Sequence, residues 1–266
     1  MPVLLDVEHV TVRFGGLTAL VDVSASVGAG EVVGVIGPNG AGKTTLFNVI
    51  CGFVRPTEGE LRWRGEPLRR HRPHQLAGLG ITRTIQSLGL FPHLTVLDNV
   101  LVGADRHAKA WFASGLFGLP SSDNDERRLR ARALDTLRRL DIESAAQQLP
   151  GQLPYGVQKR VALARALVAE PALLLLDEPA SGLSAPELAE LSDLVRGLKD
   201  QTAVLLVEHH MDLVMSVCDR LVVLNFGQVI ADGTPDAVRS NPEVATAYLG
   251  DEVHDSLTSP ETSEHA

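Results

Sequence analysis

The stretch Gly37-Pro38-Asn39-Gly40-Ala41-Gly42-Lys43-Thr44-Thr45 fills a G-x-x-x-x-G-K-[ST] pattern completely. Ahead of it runs Glu31-Val32-Val33-Gly34-Val35-Ile36, an apolar strand signal. Behind it Leu46, Phe47, Val49 and Ile50 recur at helical spacing. A glycine-rich turn between strand and helix lets backbone N–H groups close around phosphate oxygens, with the helix's positive end aimed at them. In such a cradle Lys43 reaches the β- and γ-phosphates and the Thr44 hydroxyl ligates Mg²⁺. A purely structural glycine turn would not need Lys-Thr at these two places. The stretch predicts a nucleoside triphosphate site.

A second element narrows the chemistry. Leu173-Leu174-Leu175-Leu176-Asp177-Glu178-Pro179 is an apolar strand that ends in two carboxylates. In an α/β sheet the ligand sits at the C-terminal edge of the strands, so both carboxylates arrive where the phosphates do. Asp177 is expected to hold Mg²⁺, directly or through water, and Glu178 to polarise the water that attacks the γ-phosphate.

The 266 residues suffice for one large domain, or a domain with a subdomain, around a full core. A content of 44% hydrophobic and 21% charged residues is that of an ordinary globular protein. The net charge of −9 argues against nonspecific nucleic-acid binding. Arg127, Arg128, Arg130, Arg132, Arg138 and Arg139 crowd one segment, and a solvated helix face explains them better than a nucleic-acid site. Cys51 and Cys218 lie in apolar helical patterns and read as buried thiols of a reducing compartment. No charged-then-apolar leader opens the chain, and no apolar run approaches the roughly 18 residues that span a bilayer. The expectation is a cytoplasmic protein whose membrane role comes through a partner.

Along the chain, Leu5, Val7, Val10 and Val12, then Ala19, Val21, Val23 and Val27, alternate as strands. Gly15-Gly16 and Gly28-Ala29-Gly30 supply the turns. Residues 59–64, with Gly65-Glu66-Pro67 as a turn, extend that antiparallel sheet. From about Leu94 to Gln148 the texture is helical, with Leu129, Ala133, Leu137 and Leu140 on one face of a helix over 125–140. Residues 115–124 read as a loop. Buried strands are expected at 172–176, 203–207 and 221–224, and the polar residues 251–266 as a disordered acidic tail.

With its two phosphate-site motifs the chain resembles the ATP-binding subunits of ABC transporters, and smaller matches agree. Gln86, in Thr84-Ile85-Gln86-Ser87, fits the Q-loop glutamine, implying a role in sensing Mg²⁺ near the membrane subunit. Leu153-Pro154-Tyr155-Gly156-Val157-Gln158-Lys159-Arg160 occupies the signature position, so Pro154, Tyr155, Gly156 and Gln158 are implied to face ATP held by a second subunit. Ser181-Gly182-Leu183-Ser184 fits the D-loop. His209, which follows Val204-Leu205-Leu206-Val207-Glu208, fits the switch histidine that contacts the γ-phosphate. His210 has a competing claim, but the family pattern puts the switch first after the acidic residue. Phe14, before Gly15, fits the aromatic that stacks on adenine, although a core aromatic is also possible there. The resemblance spans residues 3–250. It implies an α/β fold with a P-loop NTPase core, an antiparallel β subdomain and an inserted helical subdomain at about 94–165. The implied activity is ATP hydrolysis with ATP and Mg²⁺.

Two departures stand out. The family's signature begins Leu-Ser-Gly-Gly, and here Pro154 replaces the serine, removing a hydroxyl and an N–H. Tyr155 replaces the first glycine, while a helix starting near Val157 still offers its amides. Ser184 stands where the D-loop carries aspartate. Together these imply two unequal ATP sites in a heterodimer.

Other stretches resemble the LivG-type ATPases of branched-chain amino acid importers: residues 13–20, the insertion at Ser114-Gly115-Leu116 and Pro120, residues 208–215, and the ending from Gly233-Thr234-Pro235 through Ala247-Tyr248-Leu249-Gly250. The implied partners are a second ABC ATPase subunit, two transmembrane permeases and an extracytoplasmic solute-binding protein, with no nucleic acid. The implied place is peripheral, on the cytoplasmic face of the inner or plasma membrane. Urea or other amides remain open as cargo. A soluble ABC-type ATPase of the iron–sulfur assembly kind and a degenerate regulatory ATP-binding subunit remain the rival readings.

Overall fold

The computed structural model describes residues 2–84, 88–104 and 120–248, and for 120–123 the backbone alone. Gln86, the 114–116 insertion and the 251–266 tail lie outside the described residues.

The chain opens with an antiparallel hairpin, β1 (Val3–Phe14) and β2 (Leu17–Gly28), followed by β3 (Val32–Ile36) and α1 (Lys43–Ile50). Next come β4 (Glu58–Trp63), β5 (Glu66–Pro67), α2 (Leu76–Leu79) and β6 (Ile81–Arg83). Helices α3 (Val96–Gly103), α4 (Pro120–Arg139) and α5 (Tyr155–Leu167) form the helical middle. Strand and helix then alternate through β7 (Leu173–Asp177), α6 (Ala185–Leu198), β8 (Ala203–Val207), α7 (Met211–Val217), β9 (Arg220–Asn225), β10 (Gln228–Gly233) and α8 (Pro235–Arg239).

Two sheets result. A four-stranded antiparallel sheet has the order β2-β1-β4-β5, and a six-stranded sheet the order β10-β9-β3-β8-β7-β6. In the larger sheet all pairings are parallel except that of β10, which turns back on β9. Its strands are apolar throughout because both faces are covered. Val33, Val35, Leu173, Leu175, Leu205 and Val207 pack with the antiparallel sheet and α1. Their neighbours Val32, Ile36, Leu174, Leu176, Val204 and Leu206 pack with the helical side. The period of two along each strand thus divides one leucine-valine run between two cores. Cys51 belongs to the first core and Cys218 to the second, so the two thiols lie in separate interiors.

Three local expectations are corrected. Strict alternation put Ala19 and Val21 inward, whereas the structure buries Leu20, Val23 and Val27. The β1–β2 register shifts near His9 and Asp22, which both have φ 53, and each shift moves the following side chains to the other face. The turn after β4 is Arg64-Gly65, with φ 53 and 83, and Glu66-Pro67 is already strand β5. Finally, 120–124 are helical rather than loop, with Pro120 as the first residue of α4, where its missing N–H is no loss.

On α4 the apolar stripe is as read, with Ala133 and Leu137 buried and Leu140 buried just past its end. Among the arginines of this segment, Arg128 pairs with Asp125, Arg132 with Glu170 at 3.0 Å and Arg138 with Glu143 at 2.8 Å.

Candidate functional site

The order of the parallel strands brings three loops to one edge. β8 lies between β3 and β7, and Val207 sits opposite both Val35 and Asp177. The segments leaving these strands carry the phosphate loop, Glu178 and His209. They converge where parallel sheets hold their ligands.

The phosphate loop depends on glycine at two points. Gly37 has φ 149, and a Cβ there would lie 2.1 Å from the Leu224 carbonyl oxygen. Gly42, the N-cap of α1, has φ 105, and its Cβ would lie 2.9 Å from the Ala19 carbonyl oxygen. The β9–β10 turn braces the loop from behind, Gly227 N–H donating to the Ala41 carbonyl at 3.0 Å. Lys43 Nζ donates to the carbonyls of Gly37 at 2.5 Å and Pro38 at 2.7 Å. Its ammonium is therefore held across the loop. Gly37, Pro38 and Ala41 are buried, while Asn39, Gly40 and Thr44 are exposed and Thr45 is half-buried. The first-turn amides of α1 have no helical acceptor of their own, which suits an anion.

Asp177 ends β7 with a side chain only 8% exposed, and its Oδ2 accepts from Arg83 Nη2 at 2.7 Å. The Arg83 guanidinium also lies 4.9 Å from the Phe47 ring centre and 5.5 Å from that of Phe53. The Thr44 hydroxyl and the Asp177 carboxylate are oxygen donors, the set a hard cation such as Mg²⁺ takes. Glu178 follows with φ 46, an uncommon conformation for this residue type. Its N–H donates to the Val207 carbonyl at 2.9 Å, fixing it beside the end of β8. There the Glu208 carboxylate is fully buried, and His209 is exposed at its side.

Comparison with known proteins agrees with this geometry. The ABC transporter family model matches residues 20–181, and a model described as branched-chain amino acid ATP-binding cassette transporter matches residues 228–254. The chain belongs to the ABC transporter family. It is 42% identical over 250 residues to the high-affinity branched-chain amino acid transport ATP-binding protein BraF of Pseudomonas aeruginosa, covering 93% of this chain and 98% of that one. It is 41% identical over 250 residues, with the same coverage, to the corresponding protein LivG of Escherichia coli K12. Among solved structures, an ABC transporter cassette in its ADP conformation superposes with a TM-score of 0.80 at 32% identity, covering 94% of this chain and 100% of that chain. The fold is that of an ABC ATPase cassette, and ATP hydrolysis is the activity of this family.

The ABC signature segment is built differently from its sequence expectation. α5 begins at Tyr155 rather than near Val157, with Pro154 as an N-cap that supplies no side-chain hydrogen bond. Gln158 turns back, donating from Nε2 to the Leu153 carbonyl at 2.9 Å. Gly156 is buried because the Glu187 carboxylate lies against it; a Cβ there would meet Glu187 Oε1 at 2.1 Å. Ser184 is the N-cap of α6, its Oγ donating to Glu187 Oε2 at 2.6 Å. This hydrogen bond, first, and those from the Ser184 and Gly156 amides hold the Glu187 carboxyl below its ordinary range. Gly182 lies close to Tyr155, since a Cβ built on it would be 3.1 Å from Tyr155 Cε1.

Phe14 is the last residue of β1 and is half-exposed rather than a core aromatic. A cavity of about 650 Å³ lies behind the carboxylates between α5 and α6, lined by Thr84, Lys159, Asp177, Glu178 and Leu183 among others. No residue of the phosphate loop lines it. Three residues carry no role in the sequence reading: Arg83, which pairs with Asp177, Lys159, whose Nζ donates to the Pro179 carbonyl at 2.7 Å, and Glu208, which accepts from the Ala180 N–H at 2.6 Å. A charged residue at the C-terminal end of a short buried strand was the available signal for Arg83.

Proposed function

We propose that this chain is the ATP-hydrolysing subunit of an importer for branched-chain amino acids. It works with a second ABC ATPase subunit, two permeases and an extracytoplasmic solute-binding protein. The similarity to BraF and LivG over 250 residues carries this reading, and the family match at 228–254 supports it. No helix among the described residues is long and apolar enough to cross a membrane. We place the chain peripherally on the cytoplasmic face, bound to its permeases.

Residues 3–250 form the ATPase unit in this reading, with the helical subdomain at about 94–165. ATP is the substrate. Phe14 stacks on its adenine, and the amides of 37–45 with Lys43 hold its phosphates. Thr44 and Asp177, together with Gln86, would hold Mg²⁺, which would supply positive charge to offset that of the phosphates. Glu178 accepts a proton from the attacking water, and His209 contacts the γ-phosphate. Pro154, Tyr155, Gly156 and Gln158 face the ATP of the second subunit, next to the D-loop that ends at Ser184. Closure of the two subunits completes each site, and the higher affinity of ATP for the closed pair supplies the work on the permeases.

The test is ATP hydrolysis by the assembled transporter, with binding protein, in the presence and absence of leucine. Stimulation by leucine supports both activity and cargo class. Hydrolysis indifferent to leucine but stimulated by urea or another amide removes the branched-chain assignment. Absence of hydrolysis in a verified assembly removes the catalytic reading and leaves a regulatory ATP-binding subunit.

A further inference from the structure

Glu208 has a side chain with 0% exposure, at the point where the switch segment leaves β8. A buried carboxylate is tolerated only where its oxygens are satisfied. Here they are, and by two different loops. Glu208 Oε1 accepts from the N–H of Ala180, which precedes the D-loop in the segment after β7, at 2.6 Å. Oε2 accepts from the His209 N–H at 2.9 Å and the His210 N–H at 3.0 Å, with His210 Nδ1 at 3.2 Å. One side chain thus grips Glu178's loop with one oxygen and His209's loop with the other.

Lys159 holds the same loop from the opposite side. Its Nζ donates to the Pro179 carbonyl at 2.7 Å and to the Ser181 carbonyl. The backbone between Glu178 and Gly182, which leads into the D-loop, is therefore held by the signature helix on one side and by the switch segment on the other.

The three groups Glu208, His209 and His210 place ligand-type atoms within 4.8 Å of one another. A metal site does not follow, because Oε2 already accepts from two backbone N–H groups and Oε1 from a third.

We propose that Glu208 is a positioning residue: its carboxylate locks the loop after β7 to the switch segment, so that Glu178 and His209 keep a fixed relation and move together with the signature helix. The proposal rests on the catalytic roles given above for Glu178 and His209. An amide cannot replace this carboxylate. Glu208→Gln has nearly the same shape, but its NH₂ must face either the Ala180 N–H or the paired N–H groups of 209 and 210, and a donor facing a donor releases one loop.

The experiment combines hydrogen exchange of the full chain with steady-state kinetics of the assembled ATPase. In the wild type the Ala180, His209 and His210 amides should exchange slowly for loop residues. In Glu208→Gln the Ala180 amide or the 209–210 pair should exchange about tenfold faster. Turnover should drop by about 10²-fold with KM for ATP within about twofold. In a His209→Ala background the same substitution should then have much less further effect on kcat, because the relation of Glu178 to His209 that the carboxylate fixes is already lost. Wild-type amides at 180, 209 and 210 that exchange as fast as exposed loop amides overturn the clamp, even if the variant fails to fold. Wild-type turnover retained in a folded Glu208→Gln overturns the positioning role. A wild type that hydrolyses nothing overturns the catalytic reading instead, and the exchange measurement still decides whether the clamp exists.

Discussion

Arg83 Nη2 lies 2.7 Å from Asp177 Oδ2, and the two side chains are 19% and 8% exposed. The carboxylate assigned to Mg²⁺ is therefore already paired with a cation from the strand that leads to Gln86. Removing one member of a pair this buried leaves the other charge unsatisfied. Arg83→Met should lower the free energy of unfolding by about 3 kcal/mol. Arg83→Lys, which keeps the charge but loses the planar fork over Phe47 and Phe53, should fall between them. Urea denaturation curves check this, and a midpoint unchanged in Arg83→Met would mean the pair contributes nothing.

Glu178 gives the sharpest test of the chemistry. It is held by Val207 beside the end of β8, in a strained conformation with φ 46. Glu178→Gln keeps the shape and removes the base. Nucleotide affinity should stay within a few-fold, while turnover falls by about 10²–10⁴-fold. Lys43→Ala should do the reverse and abolish tight ATP binding, as measured by equilibrium titration. A glutamine variant that hydrolyses at the wild-type rate removes Glu178 from the catalytic role.

The phosphate loop, the Asp177 strand and the His209 strand were legible because each is local. A glycine pattern or an apolar run followed by a charged residue carries its own meaning over fewer than ten positions. What escaped depends on contacts remote in sequence. Arg83 finds Asp177 94 positions away, and Glu208 finds Ala180 28 positions away. No window of the sequence contains either pair. Ala19 and Val21 do not share the buried face of Val23 and Val27 because alternation assumes a regular ladder, and the bulge near Asp22 breaks it. Ser184 was read by its place in the D-loop, and the structure gives it a local task as well: it caps α6 in the S-x-x-E pattern completed by Glu187. That pattern was present in the sequence and could have been read directly.

Burial pushes the Cys51 thiol up to about 11 and the Cys218 thiol up to about 12, from an ordinary value of 9.0. Both raised values favour the protonated form in the folded state. The associated stability is complete below pH 9 and is lost as pH rises toward about 11 for Cys51 and about 12 for Cys218, because the unfolded chain gains by ionising. Each thiol should contribute a slope of about 1.4 kcal/mol per pH unit in that window. Alkylation at pH 8 offers a second check, because both thiols should react only after the chain is unfolded. Rapid labelling of the native chain would contradict the burial of these cysteines.

Pro154 caps α5 with no side-chain acceptor, at the segment expected to face the second subunit's ATP. Its ψ of 151 lies in the extended region that a serine N-cap adopts, so Pro154→Ser fits the same backbone. The new hydroxyl can accept from a first-turn amide, and the serine restores an N–H that proline lacks. Thermal unfolding should show a gain of about 1 kcal/mol. If the two ATP sites are unequal because this signature grips weakly, hydrolysis at the site completed by residues 154–158 should also rise. The contribution of that site is read by placing the serine variant opposite a partner subunit with an intact phosphate loop, while this chain's own site is silenced by Glu178→Gln. Faster turnover there than with Pro154 in the same background supports asymmetry set by the signature. A stabilised helix with unchanged turnover would locate the cause of any asymmetry elsewhere.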